Sequence, residues 1–218
     1  MFTLVAPVTT HPVGEKRVTL RGLTWQSYQQ ILRALPESRA ARLTYDQGTL
    51  EITMPLEEHE FALRLIERFI VILVVEMGLK LKTIGSTTIE REDLNRSAEP
   101  DSAYYIQHQP EVAGRSVDFR RDPPPDLVVE VDITHTDIDK NCLYAAMGVP
   151  EFWRYNGQEW RIFVLVNGVY QESDSSPTFP WVQKEHLYQF LAQARQDEVA
   201  AERAWRQTVQ AHMRQLKE

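Results

Sequence analysis

The segment Pro123–Lys140, "PPPDLVVEVDITHTDIDK", runs from a proline brace into the most strand-like stretch of the chain and then into the start of a helix. Side chains alternate across a strand. Leu127, Val129, Val131 and Ile133 therefore face one way, all apolar, and Asp126, Val128, Glu130 and Asp132 face the other. The pattern predicts a half-buried strand whose second face presents acids. Those acids either meet water or build a site. At about 3.3 Å per residue, Asp126 and Glu130 stand about 13 Å apart and cannot share one ion, whereas Glu130 and Asp132, about 6.6 Å apart, can flank one centre.

The helix that follows is expected to start with Thr136 and Asp139 as a capping box. Its apolar side is then Ile138, Cys142, Ala145 and Ala146, with Lys140 roughly opposite Ile138. On that spacing Lys140 is a solvated surface lysine, the ordinary fate of the residue. The functional alternative has it reach back over the strand end toward Glu130. Cys142 reads as core.

Outward from this segment the elements alternate in type. "RVTLRGL" reads as a strand, and "TWQSYQQILRAL" as a helix capped by Thr24 and ended by Pro36. "ARLTYDQGTLEITMP" is a hairpin around Asp46-Gln47-Gly48. "EEHEFALRLIERFIVILVVEMG" is a long helix, apolar nearly all round in its second half and stopped at Gly78. "LKLKTIGSTTIE" and "PDSAYYI" are strand-like, as are "PEFWRYNG" and "EWRIFVLVNGVYQES", the last turning at Asn167-Gly168. From Gln183 the chain reads as helical to its end, with a loose apolar stripe of Leu187, Phe190, Leu191, Ala194, Ala201, Trp205, Val209 and Leu216. That stripe packs on its own domain or in a homodimer. The expectation is an α/β (α+β) chain, a mixed sheet flanked by helices, with a domain over residues 1–182 and a helical extension over 183–218.

Composition narrows the function. Lys and Arg number 24 against 31 Asp and Glu, a net charge of −7. Such a chain does not coat nucleic acid non-specifically, because that binding neutralises phosphates. One cysteine forms no internal disulfide. The N-terminus lacks the basic start of a signal peptide, and the run "FIVILVVEMG" is interrupted by Glu76 and too short for a bilayer. A soluble cytoplasmic protein is expected, with no membrane partner. Neither a phosphate-cradling glycine loop nor zinc-ligand spacing occurs.

Pro100-Asp101, "DLVVEV" at 126–131, Lys140 and "YAAMGVPEFWRY" at 144–155, with "EEHE" at 57–60, together resemble the Uma-two family of restriction endonucleases, within the PD-(D/E)XK nuclease superfamily. The similarity runs from about Thr24 to about Leu191. It implies a restriction-endonuclease-like core and Mg²⁺- or Mn²⁺-dependent cleavage of DNA. Carried over by position, Asp101 is the motif aspartate and Glu130 the acid of the next strand, and both become metal ligands. The superfamily's lysine position, two residues after that acid, is Asp132 here, so Lys140 on the helix is the substitute. His59 matches a histidine at the start of the long helix and either orients a ligand or phosphate, or caps and packs. The family's "EVLSPS" reads "EVDITH", so Asp132 is either an extra ligand or faces water. Arg120 and Arg121 in "RRDPPPD" are a DNA contact or a linker brace. Trp153 and Tyr155 stack on a base or lie in the core. The competing function is a nuclease fold that has lost catalysis and serves in binding or assembly.

Overall fold

The computed structural model describes residues 16–36, 38–133 and 135–216. The stretch read for a signal peptide, residues 1–16, lies outside them except for Lys16, as do the last two residues. In chain order the elements are β1 (Lys16–Leu20), α1 (Trp25–Ala34), β2 (Arg42–Asp46), β3 (Thr49–Met54), α2 (Glu57–Glu76), β4 (Lys82–Thr83), β5 (Ile89–Arg91), β6 (Arg96–Ala98) and β7 (Ser102–Tyr105). They continue with α3 (Gln109–Val112), β8 (Leu127–Val131), α4 (Lys140–Ala146), β9 (Glu151–Tyr155), β10 (Trp160–Val166), β11 (Val169–Ser173), α5 (Lys184–Ala194) and α6 (Glu198–Gln215).

The strands form two sheets. One is antiparallel, in the order β1-β3-β2-β6-β5; the other runs β11-β10-β9-β8-β7-β4. The second sheet contains one parallel pair, β8 with β9, joined by α4 as the crossover that a parallel pair requires. The fold is thus mixed α+β, as expected, with strands divided between two sheets. "LKLKTIGSTTIE" is two short strands, β4 and β5, belonging to different sheets. Both hairpin turns form where Gln47-Gly48 and Asn167-Gly168 take positive φ, which suits the right-handed twist of the flanking strands.

Strand β8 has no wet face. Leu127, Val129 and Val131 enter a large core with α2, α5 and α6. On the other side Val128 packs with Leu143, Tyr144 and Met147 of α4 and its flank. A strand covered on both faces reads as a nearly continuous apolar run, and its acids are buried with it. Helix α4 also differs from expectation. Asp139 is its N-cap, accepting from Cys142 N at 3.1 Å, and the helix begins at Lys140. Its inner face is therefore Lys140, Leu143, Tyr144 and Met147, at helical spacing. Lys140 is buried rather than solvated, and Cys142 is exposed rather than core.

The C-terminal stripe packs within its own chain. Trp205 stacks on Phe69 of α2 with ring centroids 4.3 Å apart and donates from Nε1 to the Phe69 carbonyl at 3.2 Å. Of the stripe residues, only Leu216 is exposed. Trp153 and Tyr155 are core residues, and Arg120 and Arg121 are on the surface. Among the described residues no helix is long and apolar enough to cross a membrane.

Candidate active site

Register brings the acids together. Strands β7 and β8 pair antiparallel, Ser102 with Val129 and Ala103 with Val128. One step further, Asp101 stands opposite Glu130, and directly opposed residues on paired strands have Cβ atoms about 5 Å apart. The first turn of α2 contributes His59, and the inner face of α4 contributes Lys140 and Tyr144. Asp101, Glu130, Lys140 and His59 all line one small cavity, together with Asp132, Glu99, Arg17 and Arg42. Its volume is about 20 Å³, room for one water molecule. The sequence-derived site residues are brought together.

Each acid is gripped. Asp101 Oδ2 accepts from Val131 N at 2.7 Å and from His59 Nε2 at 2.9 Å, and Oδ1 pairs with Arg42. Glu130 Oε2 accepts from Lys140 Nζ at 2.7 Å and Oε1 from the Tyr144 hydroxyl at 2.5 Å. Lys140 also donates to Asp132 Oδ1 at 2.7 Å, and Arg154, the partner of Glu130 in the β8–β9 register, donates to Asp132 Oδ2 at 2.9 Å. Asp132 thus faces the pocket, and it shares the lysine with Glu130. Asp132, two residues after Glu130, is thus the acid that holds Lys140 in place.

Five buried acids, Glu51, Glu99, Asp101, Glu130 and Asp132, face five cations, Arg17, Arg39, Arg42, Lys140 and Arg154. Unpaired buried charge is costly, and this balance is what allows so many charges under two helices. Protonation follows from the packing. Burial opposes the Lys140 ammonium, but the carboxylates of Asp132 and Glu130 outweigh it and hold its pKa above the ordinary lysine value. Burial likewise opposes the Asp132 carboxylate, yet Lys140 and Arg154 keep its pKa low. Glu130 is pushed up, mainly by burial and further by Asp132, against the pull of Lys140. His59 is driven down to about 4 by burial and by the nearby Arg42 and Lys140 cations, so it is neutral at pH 7.

Two carboxylates on opposed strands beside a water-sized cavity suit a hard cation such as Mg²⁺, which is bound through one or two carboxylates and keeps several waters. Among the described residues no group of three or more His, Cys, Asp or Glu side chains is arranged to hold a metal by itself. The donor types are those a hard cation takes; to hold one, Asp101 and Glu130 would exchange donors of the chain for it, with water and substrate oxygens as its remaining ligands.

A family model described as "Putative restriction endonuclease", Uma2, matches residues 25–194. The chain belongs to the Uma2 family. Among solved structures, a protein described as "a putative nuclease belonging to DUF820", from Anabaena variabilis ATCC 29413, superposes with a TM-score of 0.53 at 16% identity, covering 78% of this chain and 99% of that one. At that identity the likeness speaks for the fold. None of the curated proteins matches. Within the Uma2 match, the sequence patterns singled out neither Arg42 and Glu99, which line the cavity, nor Tyr144 and Arg154, which hold its acids from behind. Only Tyr144 had a local signal, lying four residues after Lys140 and so on the same helix face.

Proposed function

We propose that this Uma2 protein is a divalent-metal-dependent endonuclease that hydrolyses DNA phosphodiester bonds, with Asp101 and Glu130 holding Mg²⁺ or Mn²⁺. The observation that carries this reading is the juxtaposition of Asp101 and Glu130 on opposed strands, with the Lys140 ammonium 2.7 Å from Glu130, around one small cavity. The bound cation supplies polarisation of the phosphate and a more acidic water. The chain's residues do the rest. Lys140 stays an ammonium in its acidic surroundings, so it acts as a donor that orients the attacking water and stabilises developing negative charge, not as a base. Neutral His59 donates from Nε2 to Asp101 and fixes the direction of that carboxylate; it is a positioning residue. Asp132, Arg154 and Tyr144 hold Lys140 and Glu130 in place. A cytoplasmic setting belongs to the same reading, and a homodimer would have to use a surface other than the stripe that α6 buries on α2.

Plasmid nicking tests this. Purified protein should relax supercoiled DNA in Mg²⁺ or Mn²⁺, and Glu130→Gln should lose at least about a hundredfold in rate, the scale of removing one preorganised electrostatic group. Gln retains the shape, and the Tyr144 hydroxyl can turn to accept from the new amide. A variant that cuts as fast as the parent overturns the assignment.

One observation favours a second reading, a binding or assembly protein that keeps the nuclease fold. Both oxygens of Asp101 and both of Glu130 already take donors from the chain. Calorimetric titration with Mn²⁺ separates the two. Binding that Asp101→Ala abolishes supports the enzyme; no binding by the parent protein supports the alternative.

A further inference from the structure

Arg42 stands between two concavities. On one side is the carboxylate cavity; on the other is a polar groove of about 310 Å³ lined by Arg39, Arg42, Ser86, Thr87, Thr88 and Glu99. Among the described residues Glu99 alone besides Arg42 borders both, and its oxygens are committed to Arg39, to Thr88 Oγ1 at 2.8 Å and to Leu43 N at 2.9 Å. What the groove offers a visitor is thus two guanidinium groups, Arg39 paired with Glu99 and Arg42 with Asp101, and the exposed Ser86–Thr87 turn, with no uncommitted acid among its described lining residues. In a chain of net charge −7 that is a local reversal. Guanidinium forks and hydroxyls are the donors that grip phosphate oxygens.

The guanidinium of Arg42 pairs with Asp101 Oδ1 and reaches Glu60 Oε1 at 3.2 Å. A cation held by Asp101 would meet that guanidinium as a like charge at short range, and repulsion of this kind is strong away from bulk water. We propose that the groove is a phosphate subsite for the substrate strand, taking a phosphate beside the one at the carboxylates. Arg42 links the two: it neutralises Asp101 until a divalent cation arrives, then turns into the groove and holds the strand. This rests on the nuclease reading of the pocket. It gives Arg42 two opposed roles, competitor of the metal and ligand of the nucleic acid, which a purely structural arginine would not have.

The test measures both bindings on the full chain. Mn²⁺ affinity is read by calorimetry after EDTA stripping. Strand affinity is read by fluorescence anisotropy in Mn²⁺, using a short phosphorothioate DNA oligonucleotide that resists cleavage. Arg42→Met should bind Mn²⁺ several-fold tighter and the oligonucleotide about tenfold weaker, the size of a lost hydrogen bond to a charged group. Arg42→Lys should recover part of both values, and carries the test if the methionine variant does not fold. Ser86→Asp, on the exposed turn, should weaken the oligonucleotide about tenfold and leave Mn²⁺ within about twofold. If Arg42→Met weakens both ligands or moves neither, or Ser86→Asp leaves the oligonucleotide unaffected, the subsite is overturned. If Mn²⁺ binds no variant, the exchange at Asp101 is overturned, and the groove stands or falls on the Ser86→Asp arm in EDTA. The expected shifts without cleavage of ordinary DNA would count against catalysis alone; cleavage with unshifted affinities would count against the subsite alone.

Discussion

The two ends of the β8–β9 pair each bury a glutamate, and the two are opposites. At the end where β9 begins, Glu151 sits beside Leu127 in the register and accepts from neutral donors, among them Trp153 Nε1 at 2.6 Å, Thr178 N at 3.1 Å, Thr178 Oγ1 at 2.7 Å and the Ser176 hydroxyl. At the other end Glu130 lies beside Arg154, takes an ammonium and a phenol, and shares its lysine with a second carboxylate next to a cavity. Burial pushes the pKa of both glutamates up. Burial of an acid therefore does not mark a site by itself. The charge of the partners and the open space beside them mark it, because fully satisfied neutral hydrogen bonds leave an acid nothing further to do. Glu151 ties the start of β9 to the Thr178 loop; Glu130 belongs to a charge system that a ligand can disturb.

Removing a partner at each end should break the contrast most plainly at Lys140. Lys140→Ala leaves Glu130 and Asp132 buried without their shared cation, and the loss of one partner from a buried pair costs about 3–5 kcal/mol. The deficit should shrink as pH falls toward the carboxylate range, since protonation removes the unpaired charge. Urea denaturation at several pH values reads this directly. A change below about 0.5 kcal/mol, typical of a surface substitution, would mean that the lysine is not holding the acids.

The same pocket explains what could be read in the sequence. Period-two alternation located β8, and helical periodicity located the C-terminal stripe. Alternation left Glu130 and Asp132 between a wet face and a site, because it says nothing about what covers a strand, and here α4 does. Starting α4 at Thr136 instead of Asp139 chose the wrong apolar set, and hydrophobicity could not show a lysine on an inner face. The motif resemblance, and not periodicity, pointed to Lys140. Asp101 meets Glu130 through strand register, a long-range property that no local pattern fixes. Arg42 comes from β2 in the other sheet, 59 residues before Asp101 in the chain, and carried no signal.

His59 gives the second contrast, through pH. Its pKa lies at about 4 in the folded protein against an ordinary value near 6.5. The unfolded chain therefore takes up a proton first as pH falls. The stability contributed by neutral His59 is present in full above about pH 6.5 and is lost on descending to about pH 4, a loss of about 3 kcal/mol at most. His59→Gln, which can still donate to Asp101, should flatten that part of the stability curve. Thermal unfolding between pH 7 and pH 4, without added metal, is the measurement. Equal slopes for the two proteins would place the histidine in solvent.

The smallest effect is expected at the neutral end. Thr178→Val removes the hydroxyl bond to Glu151 Oε2 but keeps the backbone N–H bond to the same oxygen. One lost bond to a buried carboxyl costs about 1–2 kcal/mol. Because the lost donor favours the ionised acid, the folded pKa of Glu151, already raised by burial, should rise further. A raised carboxyl pKa disfavours the folded state above the unfolded value and has no effect well below it, so the deficit should be present at pH 7 and nearly absent at pH 3. Metal affinity should not move, since Glu151 lies at the opposite end of the strand pair from Glu130. A Thr178→Val protein with altered Mn²⁺ binding would show the two ends to be coupled through the sheet, and the division between fold and site would have to be redrawn.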